Sequence, residues 1–128
     1  MATRKFQAQL REPMLHLQSA VIIDLHGEMN STVDEAFNAA YDEADTQNPG
    51  TVILNFSDVD YINSTGIALI VGLLARARKG HRTLAVYGLS EHYMEIFNIT
   101  RLADFMQIYP NEQSVMSEVA SATHQSAQ

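Results

Sequence analysis

Two neighbouring hydroxyls, Ser64 and Thr65, sit between Asn63 and Gly66 at the join of two apolar segments. Upstream is Val52-Ile53-Leu54-Asn55-Phe56, a short run rich in β-branched residues that reads as a buried strand. Downstream, from Ile67 to Lys79, apolar residues recur at i, i+3, i+4 and i+7, the spacing of a helix. The tetrapeptide therefore opens a helix at the carboxyl end of a strand, where open α/β sheets present their sites. Free N–H groups and the positive end of the helix dipole favour an anion there. A phosphate on Ser64 would bring about −1.5 to −2 charge and three acceptor oxygens. Asn, Ser and Thr also cap helices, so a plain capping role for Asn63, Ser64 or Thr65 stands beside the phosphoacceptor reading.

Other reactive side chains form no constellation. His16, His26, His81, His92 and His124 are scattered and lack metal-ligand spacing. Asp58 and Asp60 lie two apart near a strand end and are expected in a solvated loop. There is no cysteine, which excludes disulfides and thiolate chemistry. Neither Gly-x-Gly-x-x-Gly nor Gly-Lys-Ser/Thr occurs. No acid, base and nucleophile cluster together, so no enzyme activity, cofactor or metal is expected.

The chain of 128 residues suits one domain. A formal charge of −7 without basic clusters argues against a nucleic-acid partner, which needs a basic surface. The N-terminal residues lack the apolar run of a signal peptide. The longest apolar run, Ile67 to Ala77, falls well short of the ~20 residues of a membrane span. A cytoplasmic protein without membrane contact is expected.

Phe6–Leu10 alternates like a half-buried strand, and Met14–Gln18 is read as its continuation past Pro13. Ala20–His26 is a stronger strand, ended by Gly27. A helix follows, capped by Ser31, with Phe37, Ala40, Tyr41 and Ala44 on one face. Asn48-Pro49-Gly50 is a turn. Gly80 ends the central helix in the usual C-terminal role. Thr83–Tyr87 is a strand stopped by Gly88, and Ser90 caps a helix whose Met94 and Phe97 are expected in the core. Phe105–Tyr109 is the last strand; Pro110-Asn111 opens a final helix that buries Val115, Met116 and Val119. Alternation of strands and helices after residue 50 demands parallel pairing, whereas the first two strands make an antiparallel ribbon. The fold class is α/β, a mixed sheet with helices packed on it.

At about 100° per residue, Ile67, Ile70, Val71, Leu74 and Ala77 of the central helix share a face that should meet the sheet. Leu69, Gly72 and Arg76 lie opposite, flanked by Ala68 and Leu73, where a surface helix normally carries polar residues. An exposed apolar patch beside Ser64 reads as a protein-docking surface.

Three segments carry a family likeness: Val21-Ile22-Ile23-Asp24-Leu25-His26-Gly27-Glu28-Met29-Asn30, Leu54 through Gly66, and Ile96-Phe97-Asn98-Ile99-Thr100-Arg101-Leu102. Together they resemble the STAS domain, and within it the bacterial anti-sigma factor antagonists. The resemblance implies a four- to five-stranded mixed sheet with about four helices, a single STAS domain over residues 1–122 and a loose tail over 123–128. It implies no catalysis. It implies binding to an anti-sigma factor that is also a serine kinase, a block of that binding by phosphorylation of Ser64 (Thr65 second), and reversal by a phosphatase. Carried onto this chain, Asn30, Asn63, Thr65, Gly66, Leu69, Gly72 and Arg76 are the expected partner-binding residues. Asn30, Asn55 and Asn63 stand where the family usually has Asp, which implies a less negative pocket around Ser64. The alternative is a STAS sensory or scaffold module of a larger assembly, or a binder of a nucleotide or other small ligand, without a phosphate cycle. A weak homodimer through the N-terminal strand is left open.

Overall fold

The computed structural model describes residues 6–11, 20–30 and 33–118. Its frame is a sheet of β1 (Gln7–Arg11), β2 (Ala20–Met29), β3 (Thr51–Ile62), β4 (Thr83–Tyr87) and β5 (Gln107–Tyr109), side by side in chain order. β1 pairs antiparallel with β2, and every later pair is parallel. The crossovers are α1 (Asp34–Asp45), α2 (Ser64–Lys79) and α3 (Glu91–Ile99), the last followed by a single 3-10 turn, Leu102–Phe105. Residues 112–118 are helical. The mixed α/β sheet with helices packed on it is as expected. None of the described helices is long and apolar enough to cross a membrane.

Strand alternation sorts the side chains to two faces. Val21, Ile23 and Leu25 of β2 and Val52, Leu54 and Phe56 of β3 meet Phe37, Ile70, Leu73 and Phe97 from the helices in the larger core. Ile22, Ile53, Ala85 and Tyr87 point the other way and receive Val115 and Met116. Each such fully buried large side chain contributes about 1.5–3 kcal/mol relative to exposure.

The second face also carries a polar network. Arg11 donates to Asp24 from Nε (2.7 Å) and Nη2 (3.0 Å), and to Glu112 Oε1 from Nη2 (2.7 Å). The Tyr87 hydroxyl donates to Glu112 (2.7 Å), and Asn55 Nδ2 donates to Asp24 (2.8 Å). Hydrogen bonds from Arg11 and Tyr87 hold the Glu112 carboxyl below its ordinary value. Burial alone would raise Asp24, but the bonds from Arg11 and Asn55 outweigh it and its pKa is lowered. One guanidinium thus fastens the edge strand to β2 and to the helix on this face.

Several expectations are corrected. Gly27 does not end its strand: with φ 93° it lies inside β2, which runs to Met29. β3 continues to Ile62, so Asp58 and Asp60 are strand residues rather than loop residues. Register shifts between Asp24/His26 and Gly27/Glu28 give β3 extra residues against β2, and these bulges break the period-2 pattern after Phe56. The N-cap of α1 is Val33, which offers no side-chain cap; Ser31 lies outside the described residues. Gly80 is the C-cap of α2 as expected, but with φ −86° it is His81 that takes the left-handed conformation (φ 59°). Phe105 belongs to the 3-10 turn and is half exposed. Phe97 is fully buried but Met94 is exposed. Met14–Gln18, Val119 and the tail at 123–128 lie outside the described residues.

Candidate functional site

The end of β3 is held from two sides. Ile62 N donates to the Tyr93 hydroxyl (2.9 Å), and that hydroxyl donates to Ile62 O (3.3 Å). One residue on, Asn63 N donates to Met29 O (3.0 Å), which ties the chain to the end of β2. Asn63 is extended (φ −89°, ψ −177°) and is the N-cap: its Oδ1 accepts from Gly66 N at 2.9 Å, and its carbonyl accepts from Ile67 N at 2.9 Å. The capping role therefore falls to Asn63. Ser64 and Thr65 open the helix as exposed residues. A helix leaves its first N–H groups without intrahelical partners, and the first turn of α2 holds no acidic side chain. An anion on Ser64 would meet backbone donors and a positive dipole end, with no carboxylate in the helix's own first turn.

Gly66 shows why a small residue follows the hydroxyls. A Cβ there would stand 2.9 Å from Ile62 Cγ2 and 3.0 Å from Met29 O. Gly66, one of the expected partner-binding residues, is buried against β2 and β3, where it shapes the turn from beneath.

The faces of α2 are turned relative to expectation. Gly66, Ile70, Leu73, Leu74 and Ala77 are buried, whereas Val71 is exposed at 44%. The cause is α1, which lies against the flank expected to be open. Arg76 ion-pairs with Asp42, lies 4.4 Å from the centre of the Tyr41 ring, and reaches Asn38 Oδ1 at 3.4 Å. Leu69 is half buried and packs against the main core. Gly72 is open, with nothing within 4 Å of a Cβ. The exposed strip that begins at Ser64 is thus Ala68, Val71, Gly72 and Ala75. Arg76 lies beside it, half exposed and held by α1.

Asn30 directly follows Met29, the residue that binds Asn63, and its carbonyl accepts from Val33 N (3.2 Å). It therefore stands at the same edge of the site as Asn63. Asn55 does not: its amide belongs to the Arg11–Asp24 network on the other sheet face, so it does not set the charge around Ser64. Tyr93 has no spacing signal in the sequence. Its part in the site depends on a contact with Ile62, 31 positions earlier. Among the described residues no group of three or more His, Cys, Asp or Glu could hold a metal ion.

A family model described as the STAS domain matches residues 13–115. An anti-sigma-B factor antagonist of Staphylococcus epidermidis is 37% identical over 57 residues, 44% of this chain and 53% of that protein. One of Listeria monocytogenes is 33% identical over 55 residues, 43% of this chain and 48% of that protein. The chain spans about half the length of the curated relatives it matches. An anti-sigma factor antagonist from Mycobacterium paratuberculosis superposes with TM-score 0.76 at 14% identity, covering 91% of this chain and 95% of that one. The Bacillus cell-fate determinant SpoIIAA in its phosphorylated form superposes with TM-score 0.65 at 22% identity, covering 90% and 99%. At these identities the superpositions establish a shared fold.

Proposed function

The chain belongs to the STAS domain family, and from that membership we propose that it is an anti-sigma factor antagonist whose grip on its partner is set by phosphorylation of Ser64. The partner is an anti-sigma factor with serine kinase activity, a phosphatase restores the unmodified form, and the chain itself is a non-catalytic cytoplasmic binding module. The names of the curated relatives support the first part. One observation carries the second: Ser64 is an exposed residue at the mouth of a helix already capped by Asn63, and a strip of small and apolar residues runs directly on from it.

Apolar and small side chains on an exposed helix face favour association when covered. A dianion at one end of that strip would have to be stripped of water in the complex, and burial of an unpaired charge costs several kcal/mol. The first-turn N–H groups stabilise the phosphate on the free protein, which adds to the difference between free and bound states. Binding of Ser64→Ala and Ser64→Glu variants to the kinase-type anti-sigma factor tests the reading. Ser64→Ala should bind like the unmodified chain and take up no phosphate, and Ser64→Glu should bind at least tenfold more weakly. Equal affinities for the two variants would discard the mechanism.

A further inference from the structure

Behind the Ser64 turn lies a cavity of about 150 Å³ walled by Phe56, Val59, Ile62, Leu89 and Tyr93, with Ser57, Asp60 and Ser90 also in its lining. It opens at the carboxyl ends of β3 and β4, the place where open α/β sheets receive ligands. We propose that this cavity is a ligand site for a single small ring bearing a hydrogen-bond donor, and that its occupancy is felt at the Ser64 turn through Tyr93. The proposal stands whether or not Ser64 is phosphorylated.

Size and lining set the ligand class. A cavity of about 150 Å³ has room for one benzene-sized ring. The walls supply aliphatic and aromatic surface, and Ser57, Asp60 and Ser90 supply hydrogen-bonding groups. A ring bearing one O–H or N–H satisfies both. The link to the switch is geometric. The Tyr93 ring is a wall of the cavity, and its hydroxyl makes both bonds to the Ile62 backbone. Ile62 is also a wall, and the next residue is the cap of α2. A ring pressing on either wall moves the same peptide that positions Asn63 and Ser64.

The test is a titration of the ¹⁵N-labelled full chain with phenol, followed by amide shifts. Saturable shifts should appear at Val59, Leu89 and Tyr93 and extend to Asn63–Gly66. Anisole, which lacks the donor, should bind about tenfold more weakly, the worth of about one hydrogen bond. Val59→Phe and Leu89→Phe each fill the space and should abolish the shifts while keeping a native spectrum. The site is overturned if phenol gives no saturable shifts, or if the shifts persist in whichever filled variant remains folded. Equal binding of anisole removes the role of the donor, and shifts that stop short of Asn63 remove the coupling.

Discussion

Arg11 and Glu112 lie 101 positions apart in the chain, and the guanidinium of one meets the carboxylate of the other at 2.7 Å. Asp24 occupies the other side of the same guanidinium at 2.7 Å, so a single side chain joins the edge strand, β2 and the helix at 112–118. Among the described residues that helix sends Val115 and Met116 into the second core, and the polar clasp adds to what seats it.

Arg11→Ala should lower stability by about 1–2 kcal/mol, the value for a hydrogen-bonded, partly exposed charge cluster. Glu112→Gln should cost less, because Arg11 keeps Asp24. Urea denaturation would measure both. A loss from Glu112→Gln as large as that from Arg11→Ala would mean that the clasp is not organised around the arginine.

The same clasp predicts a pH dependence. Asp24 and Glu112 have folded-state pKa values below their ordinary 3.8 and 4.5. A depressed carboxyl contributes stability that is fully present above its unfolded pKa and is lost as pH falls through the folded one. Stability should therefore decline below about pH 4.5, and Arg11→Ala should flatten that decline. Parallel acid profiles for the two proteins would contradict the assignment.

Asn63→Ala removes the acceptor for Gly66 N and should cost about 1 kcal/mol, as cap losses do. Asn63→Asp keeps an acceptor and sets a negative charge at the positive end of α2, a gain of about 0.3–1 kcal/mol. Thermal unfolding of the pair should place Asp above Ala. The reverse order would show that Asn63 acts through its amide nitrogen.

Gly72 sits in mid-helix with open space around a built Cβ. Gly72→Ala should stabilise the chain by about 0.5–1 kcal/mol, because glycine loses more backbone freedom than alanine in a helix. Gly72→Arg should leave the fold intact and weaken partner binding, as a bulky charge placed on the proposed docking strip. A Gly72→Arg variant with undiminished binding would move the interface elsewhere on the molecule.

Much of this architecture is legible in residue spacing. Phe37, Ala40, Tyr41 and Ala44 recur at helical intervals, and all four are buried. Ser90 caps α3 where a cap was expected, its Oγ accepting from Tyr93 N at 3.3 Å. The second half of β3 was hidden for a stated reason. Its bulges shift the alternation, so half-buried Val59 falls out of phase with Phe56, Ser57 and Asp58 are both exposed, and the stretch imitates a loop. The orientation of α2 was hidden for another. Its own periodicity allows several neighbouring faces, and only the position of α1, with Asp42 and Tyr41 around Arg76, selects which one is covered. Within the site, the helix-opening place of Ser64 could be read from local pattern. The buried post of Gly66, the grip of Tyr93 on Ile62 and the distance of Asn55 could not, because each depends on strands and helices meeting across the fold.

The peptide just ahead of Ser64 is anchored at one side by Met29 and at the other by Tyr93. These bonds hold the turn against the ends of β2 and β3, with the exposed Ser64 facing outward. Anything bonded to that oxygen must remain on the outside, legible to whatever approaches. A phosphate placed at this position would therefore speak through outline and charge, and its removal would restore the starting surface.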